Sequence, residues 1–307
     1  MARRAELQNE FSWSLSRDSI FNACLRQYYY HYYGSWGGWR HEAPPDVKEL
    51  YVMKNLQTMP MWIGSVVHQV AHEVVKGFTA GQPLPVEAAV AMARDRMERD
   101  WQDSATGRYR RRPNRICGLA EHYYGALVPS AAPDEATIHV EGCVRRLYGS
   151  YSYETMLGLG PDSIVECEEL NTLSVAGVKV WVSPDLILRG GDDRLMIVDW
   201  KTGTSSQKEE TTRQLSIYAI YALRKYSPSA GELIGVEENL RLGEAHLHSL
   251  KEWALEETRK YVQGSIQEMR RLLCDAGQNI ALIRDFPMTD HLSACLHCRF
   301  RRACDRG

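Results

Sequence analysis

Residues 183–203 read SPDLILRGGDDRLMIVDWKTG. Two short apolar runs, LIL and LMIV, flank RGGDDR, a cluster of turn-forming residues. That pattern reads as a β-hairpin, with strands expected near 185–189 and 194–200. Alternate residues of a strand share a face, so Asp199 and Lys201 project together while Trp200 turns to the other side. The turn folds Asp185 back toward Asp199, and two carboxylates and an ammonium come to share one small volume.

Carboxylate oxygens suit hard cations such as Mg²⁺ or Mn²⁺. Such an ion polarises a phosphoryl oxygen and acidifies water, and a nearby lysine orients the nucleophile or neutralises developing charge. A bare Asp-x-Lys at a strand end is more often a surface ion pair. Here an apolar strand delivers the motif, and an apolar partner carries a second aspartate. GSVVHQVAHEVV places His68 one helical turn after Gly64, as a possible third metal ligand or else a core histidine. RQLSIYAIYA puts Gln214 and Tyr218 on one helical face. His68 and His72 also form H-x-x-x-H, but a zinc protease needs glutamate after the first histidine, and Gln69 stands there.

Around this centre the chain of 307 residues alternates helical and strand-like stretches. Helices are expected over 14–33, capped by Ser14 or Ser16, and over 46–57, 60–80, 85–103, 116–127 and 133–157. From about 163 the composition turns β-branched, with further strands near 164–170 and 172–183. A helix at 208–226, strands near 231–238 and 245–248, and a long helix at 250–275 follow. The pattern predicts a mixed α/β core with a helical insertion. With 44% hydrophobic and 25% charged residues and a formal charge of −2, the chain has no global basic field to draw nucleic acid. Local runs differ: RYRRRPNR at 108–115 carries five arginines, as a solvated loop or a strand clamp. No stretch reads as a secretory signal or membrane span, so a cytoplasmic protein is expected, without membrane contact.

Eight cysteines in such a setting are not read as a disulfide framework. Cys117, Cys143, Cys167 and Cys274 are expected in the core. Cys295, Cys298 and Cys304 lie close together in an arginine-rich tail, SACLHCRFRRACDRG, and read as thiolate ligands. Zinc, with His297 as a possible substitute ligand, and an iron–sulfur cluster both fit this spacing.

The order of GSVVH ending at His68, Asp185 in SPDLIL, IVDWKTG and QLSIY resembles the RecB-type nucleases of the PD-(D/E)XK superfamily. The cysteines resemble its iron–sulfur branch, with one upstream and then C-x2-C-x5-C, which would make Cys24 the fourth ligand and the metal a 4Fe–4S cluster, with Zn²⁺ as the alternative. That branch includes the AddB nuclease domain and the exonucleases of CRISPR adaptation. Leu25, where the family often has proline, and VSPDLI, which lacks the usual glycine, depart from the pattern without removing a catalytic group.

The resemblance implies a restriction-endonuclease-like mixed sheet flanked by helices. Its segments are a helical part at 1–81, an insertion at 82–160, a nuclease core at 161–285 and a cluster segment at 286–307, all in one integrated domain. It implies Mg²⁺ or Mn²⁺ held by His68, Asp185, Asp199 and the Trp200 carbonyl. Lys201 would be the catalytic lysine, with Gln214 and Tyr218 supporting it or touching DNA. Glu166 or Glu168, on the preceding strand, could assist, and neither is counted in the site. A cluster would clasp the first helix to the tail, making Arg299, Arg301 and Arg302 candidate phosphate contacts. The implied activity is metal-dependent DNA cleavage, as an exonuclease on single strands or duplex ends. The alternative is a nucleic-acid-binding or scaffold subunit, with protein partners in repair, recombination or CRISPR defence.

Overall fold

The computed structural model describes residues 7–126, 129–204, 208–227, 233–304 and 306. The chain opens with β1 (Ser12–Trp13), α1 (Leu15–Ala23), α2 (Leu25–Tyr29), a π-helical turn over Tyr30–Gly34, and α3 (Pro45–Asn55). Helices α4 (Met59–Thr79), α5 (Val86–Ala105), α6 (Ala120–Tyr123), α7 (Ala132–Leu147) and α8 (Tyr151–Leu159) follow. Next come β2 (Ile164–Cys167), β3 (Asn171–Val175), β4 (Val178–Val182), β5 (Leu186–Arg189) and β6 (Leu195–Lys201). The chain continues through α9 (Lys208–Tyr226), β7 (Leu233–Asn239), β8 (Glu244–Ser249), α10 (Glu252–Arg271) and α11 (Ser293–Leu296). Among the described residues no helix is long and apolar enough to cross a membrane.

Two compact units divide the chain. One comprises Met1–Leu56, Ser174–Trp181 and Tyr261–Gly307; the other comprises Gln57–Leu173 and Val182–Lys260. The second unit carries a five-stranded sheet of order β2-β5-β6-β7-β8. β6 pairs antiparallel with β5 and parallel with β7, so the sheet is mixed. β6 lies inside it, and Leu195, Ile197, Val198, Asp199 and Trp200 are buried. Continuous burial of this kind, rather than strict alternation, is what a central strand covered on both faces requires. α4 lays Trp62, Ile63, Val66, Val67, Val70, Ala71, Val74 and Val75 into the core as a helical stripe. His68 sits beside that stripe and stays half-buried. This mixed sheet with flanking helices is the α/β architecture expected of a restriction-endonuclease-like fold.

In the first unit, Ser12 and Trp13 pair in parallel with Lys179 and Val180. The fully buried Trp13 donates its indole N–H to Ser265 Oγ at 2.9 Å. Arg17 is buried despite its charge; it donates to Tyr28 OH and Tyr33 OH at 2.9 and 3.0 Å, and its guanidinium lies over the Phe11 and Tyr32 rings. Desolvation is offset here by hydrogen bonds and aromatic faces.

Several elements depart from the sequence expectation. The helix expected over 14–33 breaks at Cys24, whose backbone is extended (φ −165°) and caps α1. Ser14 is the N-cap, accepting from Arg17 N. The stretch expected as one strand over 172–183 is a hairpin, β3 and β4, turned at Ala176 and Gly177 with φ of 49° and 74°. A glycine in that left-handed position costs nothing sterically. The helix expected over 133–157 is interrupted at 148–150, where Ser150 caps α8. The one expected over 116–127 is a single turn. The strands expected over 164–170 and 185–189 are shorter; Asp185 lies just outside β5. Cys274, expected in the core, is exposed.

Candidate metal centre

All residues of the expected centre lie in the second unit, and they converge. Asp185 follows Pro184 at the start of β5, Asp199 to Lys201 end β6, and α4 carries His68 across to them. Gly64 explains how the helix comes so close. A Cβ there would stand 3.3 Å from Thr202 Oγ1, just past the end of β6.

The His68 ring is engaged on both edges. Its Nδ1 lies 2.7 Å from Glu168 Oε1 and 3.3 Å from Asp185 Oδ1, and its Nε2 lies 3.2 Å from the Trp200 carbonyl oxygen. Asp185 accepts the Trp200 backbone N–H through Oδ2 at 2.6 Å. Lys201 Nζ lies 2.6 Å from Asp199 Oδ2, off the direction of a hydrogen bond, and donates to Gln214 Oε1 at 2.9 Å. Gln214 Nε2 in turn donates to Tyr218 OH at 3.0 Å. Trp200 points its indole the other way, donating to Ser152 Oγ and Glu238 Oε2 at 3.1 and 3.2 Å. The strand alternation therefore holds: Asp199 and Lys201 share a face, and Trp200 anchors the opposite one.

Glu168 is a residue that the motif reading does not count in the site. It stands at φ 53°, and its N–H donates to the carbonyls of Pro184 and Asp185, both at 3.1 Å. That left-handed kink after β2 turns its carboxylate onto His68. His68, Glu168 and Asp185 place ligand atoms within 4.8 Å of one another. Two adjacent acids, Glu168 and Glu169, directly after a strand were the sequence signal, but a kink rather than alternation selects which one faces the site. Glu166 serves elsewhere: buried, it accepts from Tyr221 OH at 2.7 Å and Lys225 Nζ at 3.0 Å.

The electrostatics follow from crowding acids in a dry place. Burial, then the neighbouring Asp185 charge, raises Asp199 to about 7 in spite of Lys201. Burial disfavours the His68 imidazolium, but the Asp185 and Glu168 carboxylates outweigh it and raise the group well above the ordinary histidine value. Burial and the charges of Asp185 and Asp199 raise Tyr218 well above the ordinary phenol range. Asp199 Oδ2 is buried without a hydrogen bond. His68, Glu168 and Asp185 form the donor group, with the Trp200 carbonyl at the imidazole and Asp199 within electrostatic reach, and this oxygen-rich set fits a hard divalent cation.

The thiols gather in the first unit. Burial and then the sulfurs of Cys304, Cys24 and Cys295 raise Cys298 to about 11, so all four lie within electrostatic reach. Cys24 sits at the break between α1 and α2, and Cys295 lies in α11. The surrounding chain is knit together: Arg26 Nε donates to Phe286 O at 2.7 Å, Tyr30 OH to Ala303 O at 2.9 Å, and Tyr28 stacks on Phe286. Arg299 donates to the carbonyls of Lys54 and Leu56 at 2.9 and 2.7 Å, and Arg301 to that of Leu296 at 2.6 Å. Arg299, expected as a phosphate contact, thus anchors the tail to the backbone after α3. In the loop at 108–115, Tyr109 is buried, Arg108 pairs with Asp103 at 2.9 Å, and Arg111, Arg112 and Arg115 are exposed.

Comparison with known proteins adds one strong match. The family model of the PD-(D/E)XK nuclease superfamily matches residues 12–305. No curated protein matches the chain. Among solved structures, the crystal structure of SSO0001 is similar at 16% identity, covering 69% of this chain and 79% of that one with a TM-score of 0.29, a likeness too remote to bear on the site.

Proposed function

The chain belongs to the PD-(D/E)XK nuclease superfamily, whose members are nucleases, and from that premise we propose that it is a metal-dependent DNA nuclease of the RecB/AddB-like iron–sulfur branch. The observation that carries the reading is the meeting of His68, Asp185, Asp199 and Lys201 at one point from three separate elements. His68, Asp185, Asp199 and the Trp200 carbonyl would hold Mg²⁺ or Mn²⁺, with Glu168 as a further oxygen donor. The ion would supply Lewis-acid polarisation of the phosphodiester and a water of lowered pKa.

The protein's own groups do the rest. Lys201 brings a fixed positive charge to where negative charge develops on the phosphoryl oxygens. Gln214 holds the ammonium in place and Tyr218 holds Gln214, so the lysine loses little freedom during reaction. Trp200, pinned by Ser152 and Glu238, fixes its own carbonyl and the N–H that orients Asp185.

The proposed substrate is DNA, cut exonucleolytically from single strands or duplex ends, in the cytoplasm and in concert with repair or defence partners. The four cysteines would hold a structural 4Fe–4S cluster. The coupling of Cys298 to Cys304, Cys24 and Cys295 supports a shared thiolate site, for which tetrahedral zinc is the alternative occupant.

The test is hydrolysis of end-labelled single- and double-stranded DNA by purified protein with Mg²⁺, Mn²⁺ or EDTA. Cleavage should require metal and vanish in Asp199→Asn and Lys201→Ala; cleavage surviving both substitutions overturns the reading. Anaerobically purified protein should be brown, and a colourless protein containing zinc would replace the cluster assignment.

A further inference from the structure

A groove of about 720 Å³ opens at His68 and Glu168 and runs on between α4 and α5. One wall is α4, which contributes Ser65, Gln69, His72 and Glu73, spaced so that they share a helical face. The other wall is α5, in the insertion, which contributes Met92, Arg96 and Arg99, again on one face. Val66 and Val70 line it as well.

The charges in this groove are ordered. Asp100, itself holding the Trp62 indole N–H at 3.2 Å, takes Arg96 Nε at 2.9 Å and sets that guanidinium rigidly. Arg99 is exposed; its Nε donates to the Asp95 carbonyl, and among the described residues it enters no ion pair. His72 Nδ1 is buried without a partner. Glu168 closes the metal end, and Glu73, paired with Lys76 at 3.5 Å, adds an acid on α4. Two arginines one turn apart, amide and imidazole donors opposite, and apolar side chains along the lining suit a phosphate with its sugar and base.

We propose that this groove is a strand-binding subsite in which Arg96 and Arg99 of the insertion, with Gln69 and His72 of α4, hold the phosphate next to the one being cut. The inference rests on the nuclease reading and adds to it a role for the insertion. The two acids in the lining limit the subsite to one or two nucleotides, because phosphate beside either of them is repelled. The occupant is a single strand, since the contacts reach one backbone.

The experiment measures binding of a fluorescent single-stranded oligonucleotide by anisotropy, in the presence of Ca²⁺ and a Lys201→Ala background. Adding Arg99→Glu should weaken binding about ten-fold, the size of a lost charge-assisted hydrogen bond. It should also make the salt dependence shallower by about 0.7 per lost phosphate contact. Arg99→Lys should recover most of the affinity, and Arg259→Glu, on α10, controls for net charge. Unchanged affinity and slope in Arg99→Glu, an equal loss in Arg259→Glu, or no oligonucleotide binding by the parent each overturn the subsite. Hydrolysis of bis(p-nitrophenyl) phosphate by wild-type protein tests the nuclease reading apart from the groove. DNA and RNA oligonucleotides run in parallel report whether the subsite reads the phosphate alone.

Discussion

At His68 three chain segments meet one ring, and the meeting decides what each neighbour does. Glu168 and Asp185 stand at one edge and the Trp200 carbonyl at the other. Glu168→Gln keeps the shape and removes a charge, so Mn²⁺ affinity should fall about ten-fold in a calorimetric titration. Unchanged affinity would leave Glu168 as a positioning partner of His68. Lys201→Met should cost about a hundred-fold in kcat while Mn²⁺ still binds, since the lysine meets developing charge rather than the ion. A different histidine contributes to acid stability. Burial, then Lys54, Arg299 and Arg17, lower His31 to about 2. The unfolded state, with an ordinary value near 6.5, binds the extra proton first, so the His31 contribution is full above about pH 6.5 and falls as pH drops below it, by up to about 1.4 kcal/mol per pH unit, while Asp199, raised to about 7, acts in the opposite sense. Urea denaturation of wild type and His31→Phe across that range should therefore differ by the His31 slope, and identical pH profiles would remove its role. The motif residues were legible because metal and phosphate chemistry demand particular side chains. Glu168 was not, because a left-handed kink decides where it points.

Among the elements, α4 and β6 carry the site, and their contact is tight at Gly64. Gly64→Val would push against Thr202 Oγ1, which a Cβ already approaches to 3.3 Å. The overpacking should cost about 1–3 kcal/mol in denaturant unfolding. It should also lower kcat more than a surface substitution of equal stability cost, by moving His68 off the Trp200 carbonyl. Equal losses in both would make Gly64 a packing residue only. The strands of the hairpin at 183–203 could be read from their apolar runs and turn residues, and so could the stripe of α4. The break at Cys24 could not, since its aromatic flank is locally helical and packing on Phe286 and the tail bends it. The hairpin within 172–183 was marked by Ala-Gly, a weaker signal than the Gly-Gly-Asp-Asp turn.

For the molecule as a whole, one unit is drawn from both chain ends and the 174–181 hairpin tip, and it contains all four clustered cysteines. The other contains the proposed catalytic residues. On the proposed cluster assignment, Cys24→Ser should bleach the chromophore and speed amide exchange across 15–34 and 286–304, while 195–201 stays protected. Uniform acceleration would show that the proposed cluster supports both units alike. The sequence by itself determined the α/β class, the residue types of the candidate centre and the thiol spacing, because periodicity, turn chemistry and ligand preference are local properties of the chain. Only the tertiary structure decided that Glu168 rather than Glu166 faces the metal centre, that Arg299 is spent on backbone carbonyls, and that a groove between α4 and α5 leads away from His68. Those outcomes depend on which surfaces come within a few ångströms after packing, and residues far apart in sequence carry no local mark of it.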